Sequence, residues 1–375
     1  MKKVIVTGGA GFIGSHLCDA LIENGYKVTV FDNLEPQVHP GQLIPDYLNK
    51  KVNFIKGDVR DYQKFRDAIV GHDFVFHFAA AVGVGQSQYQ ISKYVDVNIN
   101  GTANLLDILV NSKHKVKKII VAASMSSYGE GMAKCEKCGI FKPLLRNLSE
   151  GIIVRERHYW EIKCPVCGKM AISIPTDEKT LLDANSIYAV TKKEQEEMCI
   201  LIGKTYGIPV VSLRFFNVYG PRQSLSNPYT GVTAIFISRI KNNNPPVIFE
   251  DGLQTRDFIW VGDVIRANIL ALESEKANYE IFNVGSGKPV SILKIAKMLC
   301  VLMGKSIQPV ITYKFRKGDV RHCFADVRKI KKLLNFKTTV PLKDGLARLI
   351  NWCQTVDAKD DFEKVLKELK EKKLV

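Results

Sequence analysis

A glycine-rich turn directly after a short apolar strand constrains the fold of this chain more than any other feature. The segment Lys3–Thr7 predicts a buried strand, and the chain continues as Gly8-Gly9-Ala10-Gly11-Phe12-Ile13-Gly14. Glycines at this spacing let the backbone approach a pyrophosphate, and a helix beginning near Phe12 points its unpaired N–H groups and positive dipole end at the phosphates. The turn therefore predicts a unit that binds a dinucleotide.

Short β-branched runs alternate with amphipathic stretches through the first part of the chain. The predicted strands are Lys3–Thr7, Lys27–Asp32, Asn53–Gly57, Phe74–Phe78, Lys118–Ala123 and Val210–Phe215. The predicted helices are His16–Asn24, Gln63–Val70, Asn98–Val110 and Tyr188–Thr205. This alternation predicts an α/β fold of the Rossmann type, a doubly wound parallel sheet in which ligands bind beyond the carboxyl ends of the strands.

The loops after the next three strands extend the predicted dinucleotide groove. Asp32 ends the second strand about 20 residues after the glycines, where a carboxylate accepts hydrogen bonds from a ribose 2′-OH and repels a 2′-phosphate. This position favours NAD over NADP. Asp58 follows the third strand within reach of an adenine amino group, and the small residues Ala79 and Ala80 follow the fourth.

A tyrosine and a lysine one helical turn apart form a candidate proton-transfer pair. Tyr188 and Lys192 lie on the same face of a predicted helix. A nearby cation lowers the pKa of a phenol, so we expect Lys192 and a positive nicotinamide ring to make Tyr188 a base near neutral pH. The predicted cofactor-binding residues are Gly8, Gly11, Phe12, Ile13, Gly14, Asp32, Asn33, Asp58, Val59, Phe78, Ala79, Ala80, Tyr188 and Lys192.

The glycine turn together with Tyr188 and Lys192 resembles the extended short-chain dehydrogenase/reductase superfamily, and within it the NAD-dependent nucleoside-diphosphate-sugar epimerases and dehydratases. The resemblance covers nearly the whole chain apart from residues 134–174 and the carboxyl-terminal tail. In this family a Ser or Thr four residues before a Tyr-Gly pair completes the catalytic set, and Ser124 matches it. The resemblance implies that Ser124 bonds the sugar oxygen that loses its proton.

The two residues after Ser124 separate two reactions of this family. Its 4,6-dehydratases carry Asp-Glu there, an acid and a base that expel water, whereas this chain has Met125-Ser126. Neither side chain offers a carboxyl group. Epimerisation is therefore favoured over dehydration, and Ser126 is expected to contact the substrate.

The second half of the chain carries segments similar to the family's substrate domain. By that resemblance Asn217 donates to a diphosphate, Arg256 and Arg316 clamp its phosphates, and Asp319 holds the nucleotide ribose. Arginine also suits a diphosphate on physical grounds, because it is permanently charged and donates paired hydrogen bonds. Segments 250–252 and 283–287 are interpreted as turns without chemistry.

One departure from the family concerns the Ala81–Gly85 stretch. Some hexose epimerases place a lysine there, whereas this chain has Val82 and Val84. The departure weakens a transfer from the galactose-type 4-epimerases.

Two Cys-x-x-Cys-Gly segments predict a metal site. Cys135 and Cys138 form the first pair, and Cys164 and Cys167 form the second. Four thiolates suit a closed, structural Zn²⁺ site, and redox-active pairs are the alternative. The segment lies between Ser124 and Tyr188, so we expect this zinc ribbon to emerge beside the active site and to shape the sugar pocket or an oligomer contact.

The motifs divide the chain into four predicted parts. Residues 1–133 and 175–215, with about 256–285, form the NAD-binding domain, and residues 134–174 form the zinc-ribbon insertion. Residues 216–255 and 286–356 form a smaller mixed α/β substrate domain. Residues 357–375 form a charged tail, with an amphipathic helix packed on the body or on a neighbour.

Composition and charge bear on other classes of protein. The chain has 375 residues, 46% of them hydrophobic, and a formal net charge of +16, so it is neither disordered nor a disulfide scaffold. We expect a cytoplasmic protein without membrane partners. The charge and the ribbon leave nucleic-acid binding as a distant alternative, which steeply salt-dependent binding would reveal. A catalytically idle NAD sensor is disfavoured because Tyr188 and Lys192 are both present.

These features together predict an NAD-dependent 4-epimerase of nucleoside-diphosphate sugars that works through a 4-keto intermediate. The ribbon and the segment Arg222–Tyr229 resemble the dTDP-L-rhamnose 4-epimerases, so dTDP-L-rhamnose is the best guess for the substrate. A UDP-hexose or UDP-uronate 4-epimerase is the alternative, as is a sugar-nucleotide dehydratase or reductase. The resemblance implies a homodimer joined through the Asn98–Val110 and Tyr188–Gly203 helices.

Overall fold

The computed structural model describes residues 1–146 and 160–375. The strands, in chain order, are β1 Lys3–Thr7, β2 Lys27–Asp32, β3 Asn53–Lys56, β4 Phe74–His77, β5 Lys118–Ser124, β6 Ala133–Cys135, β7 Gly139–Phe141, β8 Ile172–Ser173, β9 Val210–Phe215, β10 Asn217–Tyr219, β11 Val247–Ile248, β12 Thr255–Trp260, β13 Ile281–Val284, β14 Pro289–Ser291, β15 Val310–Ile311 and β16 His322–Cys323.

The α-helices are α1 Phe12–Glu23, α2 Tyr62–Ile69, α3 Val84–Ser87, α4 Ile91–Tyr94, α5 Gly101–Asn111, α6 Ile187–Tyr206, α7 Val232–Lys241, α8 Val261–Glu273, α9 Ile292–Leu302, α10 Arg328–Leu334, α11 Leu342–Cys353 and α12 Phe362–Glu371. A π-helical turn, Val95–Asn100, joins α4 to α5. Short 3₁₀ turns span Pro40–Gln42, Met125–Tyr128 and Glu275–Ala277.

A seven-stranded sheet in the order β13-β9-β5-β4-β1-β2-β3 forms the centre of the first unit, and all of its pairings are parallel. Its strands are rich in valine and isoleucine because helices cover both faces. One core packs α1 and α8 against the sheet, and a second packs α2, α5 and α6 against the other face. The predicted Rossmann-type α/β fold is confirmed.

The strand bounds agree with the predicted ones to within one residue, whereas one helix differs more. Helix α1 begins at Phe12, as the glycine turn predicts, and so extends four residues before the amphipathic stretch that starts at His16. The helix predicted from Asn98 begins as α5 at Gly101, because the π-helical turn occupies the residues before it.

The second unit is built on a small mixed sheet. Strand β12 pairs in parallel with β10 and β16 and antiparallel with β14, while β11 pairs with β15. Helices α7, α9 and α11 enclose a separate core beside this sheet. Of residues 256–285, β12 therefore lies in the second unit, whereas α8 and β13 pack with the seven-stranded sheet.

The cysteine-containing segment adds a three-stranded antiparallel sheet in the order β7-β6-β8. Residues 147–159 of the predicted 134–174 insertion lie outside the described part of the chain. In the tail, α12 packs on the body with Val365 and Leu369 buried. Among the described residues, no helix is both long enough and apolar enough to cross a membrane.

Candidate active site

One cavity of about 620 Å³ lies beyond the carboxyl ends of the parallel strands, between the two units. Every residue that the sequence assigns to the cofactor, the substrate or catalysis lines this cavity. They are Gly8, Gly11, Phe12, Ile13, Gly14, Asp32, Asn33, Asp58, Val59, Phe78, Ala79, Ala80, Ser124, Ser126, Tyr188, Lys192, Asn217, Arg256, Arg316 and Asp319.

The glycine turn is shaped by close backbone contacts. Gly8 has a φ of 70°, and a Cβ placed on it would lie 2.8 Å from the amide nitrogen of Ala79. A Cβ on Gly14 would overlap the carbonyl oxygen of Gly8. Gly11 caps α1 and offers no side chain to its first turn, so the first N–H groups of the helix are left for a ligand. This end of the cavity suits an anionic diphosphate.

Two carboxylates border the same end of the cavity. Asp32 accepts hydrogen bonds from the amides of Ala10, at 3.0 Å, and Leu34, at 2.8 Å, and burial raises its pKa. Asp58 accepts from Asn33 at 2.9 Å, and the Arg60 guanidinium bonded to it lowers its pKa to about 2. Both carboxylates are therefore held in place by protein donors.

The catalytic candidates meet where β5 and α6 come together. The Ser186 hydroxyl accepts from the Ala189 amide at 3.2 Å and caps α6, which places Tyr188 in the first turn. Ser124 ends β5, and its hydroxyl lies close enough to the Tyr188 phenol to lower the pKa of that phenol. The Ser126 hydroxyl donates to Ser124 Oγ at 2.8 Å.

Burial acts on the pKa values of both members of the pair. It lowers the pKa of the Lys192 ammonium to about 7. It raises the pKa of Tyr188, and the Ser124 hydroxyl offsets this rise only in part. Desolvation of the phenolate therefore dominates in the protein by itself. That Lys192 and a positive nicotinamide ring together lower the Tyr188 pKa stays a prediction.

A buried polar chain that the sequence did not reveal holds Lys192. Its ammonium donates to the Ala122 carbonyl and to Gln195 Oε1, both at 2.8 Å, and so retains one further N–H. The Gln195 amide donates to Thr102 Oγ1 at 2.8 Å, and Thr102 lies 3.1 Å from His77 Nε2. Gln195 is three residues after Lys192, a spacing that could have identified it.

The same chain of hydrogen bonds reaches the loop after β4. The Thr102 hydroxyl donates to the Asn98 carbonyl, so His77 Nε2 is the donor toward Thr102. Nδ1 of His77 then accepts from Thr7 Oγ1, at 3.1 Å, and burial lowers the His77 pKa to about 3. Thr7 Oγ1 in turn accepts from the amides of Phe78 and Ala79. A continuous neutral network thus connects Lys192 to the loop after β4.

Asn98 is a second residue that the sequence did not single out. It lies in the π-helical turn and is fully buried. Its amide accepts from the Ala81 amide at 2.8 Å and donates to the Ala81 carbonyl and to Thr191. Asn98 therefore fixes the loop after β4 against α6, and π-turns are frequent at functional sites.

The predicted phosphate ligands lie at the other end of the cavity. Arg256 donates to the carbonyl oxygens of Thr255, Val320 and Arg321, which fixes its guanidinium beside β16. Arg316 forms an ion pair with Asp319 at 2.8 Å. Asn217 Oδ1 is buried and has no hydrogen-bond partner among the described residues.

The four predicted metal ligands come together. The sulfur atoms of Cys135, Cys138, Cys164 and Cys167 all lie within 4.8 Å of one another, and Cys135 and Cys167 are 3.6 Å apart. Four thiolates about 2.3 Å from one zinc ion would lie about 3.8 Å apart. The donor set therefore fits a tetrahedral zinc site.

The segment 250–252 is a turn, as predicted, whereas the segment 283–287 begins in β13 and bends only after it. Both segments also hold buried side chains. Asn283 bonds Tyr128 at 2.8 Å, and Glu250 and Asp251 both bind Arg321, at 2.9 and 2.6 Å. The local patterns do not reveal these partners because they lie far away in the sequence.

A buried ion network around Arg321 joins the cysteine-containing segment to the second unit. Glu161 binds Arg321 at 2.6 Å and His322 at 3.1 Å. Burial raises the Glu161 pKa, but hydrogen bonds from His322 and Arg321 outweigh this effect and lower the pKa to about 2. Arg146 bridges Glu130, at 2.9 Å, and Glu250, at 2.8 Å. The fully buried Arg321 is thus enclosed by carboxylates of the cysteine-containing segment and of the second unit.

Comparisons with known proteins agree with this geometry. Residues 4–143 and 164–285 match the model of the NAD dependent epimerase/dehydratase family. The chain is 32% identical to dTDP-L-rhamnose 4-epimerase of Burkholderia thailandensis, over 96% of this chain and 97% of the relative. It is 32% identical to UDP-glucuronate 4-epimerase of Thermodesulfobacterium geofontis, over 94% and 96%.

Solved structures give the same result for the fold. UDP-glucose 4-epimerase of Thermotoga maritima, with UDP-glucose, superposes with a TM-score of 0.76 at 31% identity, covering 94% of this chain and 99% of that one. UDP-glucuronic acid 4-epimerase of Bacillus cereus, with UDP-glucuronic acid and NAD, superposes with a TM-score of 0.74 at 32% identity, again covering 94% and 99%.

Proposed function

Because this chain belongs to the NAD-dependent epimerase/dehydratase family, we propose that it is an NAD-dependent 4-epimerase of nucleoside-diphosphate sugars. The observation that carries the proposal is the convergence of Ser124, Tyr188 and Lys192 on one cavity with the glycine turn. An enzyme that oxidises and then reduces the same carbon needs a proton acceptor beside a resident cofactor, and this cavity offers both sites.

The residues at one end fit NAD. The uncapped first turn of α1 suits the pyrophosphate, and the Asp32 carboxylate suits an unphosphorylated ribose. The relative from Bacillus cereus was solved with NAD. When bound, NAD would accept a hydride from C4 of the sugar and return it to the opposite face.

The chain's own residues would move the proton. Tyr188 takes the proton of the C4 hydroxyl and returns it after the 4-keto sugar has turned over. Ser124 would bond the same oxygen, and its hydroxyl lowers the pKa of the neighbouring phenol. Lys192, which donates to Ala122 and Gln195 and keeps one further N–H, would stabilise the phenolate by its positive charge.

The residues beside Ser124 support epimerisation over dehydration. Met125 and Ser126 stand where a dehydratase of this family carries its acid and base, and Ser126 is committed to Ser124. Expulsion of water from C5 and C6 needs an acid and a base at that place. Net oxidation or reduction is disfavoured because the redox-neutral cycle returns the hydride.

For the substrate we propose dTDP-L-rhamnose and its C4 epimer, dTDP-6-deoxy-L-talose, with UDP-hexose or UDP-uronate as the alternative. The relative from Burkholderia thailandensis supports this choice. Asn217, Arg256 and Arg316 would hold the diphosphate and Asp319 the nucleotide ribose. Asn217, Arg316 and Asp319 all line the cavity, and Arg316 pairs with Asp319.

The cysteine cluster would hold a structural zinc ion, and we assign the ribbon a positioning role. Glu161 and Arg146 bind the segment that includes Arg321 and the neighbouring carboxylates. The Arg321 and Val320 carbonyls in turn fix the Arg256 guanidinium. The ribbon would therefore hold a phosphate-binding arginine in place.

A homodimer is proposed on the α5 and α6 faces. Leu201 and Tyr206 are 64% and 54% exposed, and with Val110 and Met198 they line an apolar groove. Exposed apolar side chains grouped on two adjacent helices are typical of a protein interface.

The function is tested with a panel of dTDP- and UDP-sugars followed by NMR of the product. We expect inversion at C4 without added NADH, and we expect Tyr188→Phe to lose at least about 100-fold in kcat. Tyr62→Phe, on the surface helix α2, is the matched control. Loss of water, consumption of external NADH, or full activity of Tyr188→Phe would overturn the proposal.

A further inference from the structure

The carboxyl-terminal helix α12 forms part of the cavity wall. Phe362, Val365, Leu366 and Leu369 line the same cavity as Tyr188. Val365 and Leu369 are 7% and 4% exposed. The side of α12 that faces the cavity is therefore entirely apolar, although the helix as a whole is rich in lysine and glutamate.

Specific hydrogen bonds hold the tail in this place. The Lys317 amide donates to the Leu374 carbonyl at 2.9 Å, beside the Arg316–Asp319 pair. The Tyr229 hydroxyl donates to Glu368 at 2.6 Å. The tail is thus anchored both to the proposed phosphate-binding loop and to the segment before α7.

More anchors lie just before the helix and in its first turn. The Lys359 amide donates to Ser226 Oγ at 2.9 Å, and Arg239 pairs with Glu363 at 3.1 Å. Arg239 also stacks on the Phe362 ring, with 4.4 Å to its centroid. These hydrogen bonds and the ion pair, together with the burial of Val365 and Leu369, make α12 an integral part of the cavity wall.

The helix reaches the reacting end through the loop after β4. A Cβ placed on Gly85 would lie 3.4 Å from Leu369 Cδ2. A Cβ on Gly83 would lie 2.9 Å from the Tyr94 hydroxyl. The Tyr94 ring packs edge-on against Tyr188, with centroids 6.4 Å apart. The backbone of residues 83–85 and the ring of Tyr94 therefore lie between Leu369 and Tyr188.

The tail also contacts the segment that packs against residues 83–85. A Cβ on Gly318 would lie 3.1 Å from Val84 Cγ1, and the Gly318 carbonyl accepts from Asn185 at 2.8 Å. Gly318 follows Lys317, to which Leu374, just after α12, is bonded. The tail therefore contacts two neighbouring segments of the cavity wall, one through Leu369 and the other through Leu374.

From this arrangement we propose that α12 is a specificity element that selects neutral sugars with an apolar periphery, such as 6-deoxy sugars, over uronates. The inference rests on the proposed function. A carboxylate on the sugar would be buried against apolar side chains, which is unfavourable without a cationic partner. The lysine and arginine side chains that line the cavity have other roles in the proposed function or pair elsewhere. Arg256 and Arg316 would hold the diphosphate, Lys192 would act on Tyr188, and Lys93 pairs with Glu35.

The experiment compares kcat/KM for dTDP-L-rhamnose and for UDP-glucuronate in three variants. Leu369→Ala is expected to raise KM for the neutral sugar at least fivefold with kcat changed less than twofold. Leu366→Lys, at a half-buried position, is expected to reduce the ratio of neutral to uronate kcat/KM at least tenfold. Lys367→Ala, on the exposed side of α12, is the matched control and should leave both values unchanged.

The outcomes separate the two proposals. Retained NAD and an unchanged circular dichroism spectrum show that a variant is folded. If the parent protein epimerises a sugar nucleotide but neither leucine variant changes KM or the substrate ratio, the role of α12 is refuted. If the parent protein prefers UDP-glucuronate, the role of α12 as a filter for neutral sugars is also refuted. If the parent protein epimerises none of the sugars, the proposed function fails.

Discussion

Replacing Gln195 tests whether the buried network sets the protonation of the catalytic lysine. Gln195 is fully buried, accepts from the Lys192 ammonium at 2.8 Å and donates to Thr102 at 2.8 Å. Gln195→Met has a similar volume but offers no acceptor. The ammonium then keeps only the Ala122 carbonyl as a protein partner among the described residues, and its charged form is disfavoured.

The magnitude follows from that one bond. A hydrogen bond to a charged group contributes about 1.5–3 kcal/mol, and one pKa unit corresponds to about 1.4 kcal/mol. The Lys192 pKa, about 7 in the parent protein, would therefore fall by about 1–2 units in Gln195→Met. Because the acceptor stabilises the ammonium, its loss shifts the alkaline limb of the kcat profile to lower pH.

The assay is the pH dependence of kcat from pH 5 to pH 9 with saturating sugar nucleotide. Gln195→Met should lose about 10- to 100-fold at pH 8 and much less at pH 5.5. Gln195→Glu, the paired control, places a carboxylate beside the ammonium and should shift the same limb to higher pH. Identical profiles for both variants and the parent protein, with NAD retained, would refute a positioning role for Gln195.

Three further predictions concern the cofactor, the metal and the interface. Gly8→Ala should lose bound NAD and about 1–3 kcal/mol of stability, because Gly8 has a φ of 70°. Gly71→Ala is the control and should change neither, because a Cβ there meets open space. Thermal melts measure the stability, and absorbance of released NAD measures the bound cofactor. Elemental analysis is expected to find one zinc ion per chain. Cys164→Ser should abolish zinc binding and should raise KM more than it lowers kcat. Cys300→Ala is the control and should retain the zinc ion. Leu201→Glu should convert a dimer into a monomer in light scattering, and an unchanged mass would exclude that face.

Local patterns were sufficient to predict much of the site. The glycine turn, Asp32, Ser124 and Tyr188 follow strands or open helices whose ends the sequence marks clearly. Since parallel strands present their carboxyl ends at one edge, placing each residue after its strand was enough to bring them together. The paired Cys-x-x-Cys segments were equally local, and their sulfur atoms converge as predicted.

The remaining parts depend on contacts between distant segments. His77 and Thr102 are ordinary residues of a strand and a helix, and only the packing of β4 against α5 and α6 connects them to Lys192. The ion pair of Glu250 could not be predicted because Arg321 lies 71 positions later. The desolvation that raises the Tyr188 pKa could not be predicted for a similar reason, because it depends on the full surroundings of the phenol.

The most direct measurement follows the hydrogen on C4. dTDP-L-rhamnose carrying deuterium at C4 is incubated with the purified protein, without added coenzyme, and the products are observed by NMR. Return of the same hydride predicts the C4 epimer with its deuterium retained and no exchange with solvent. A product that has lost the label, has lost water, or keeps the original configuration after prolonged incubation would contradict the proposed epimerisation.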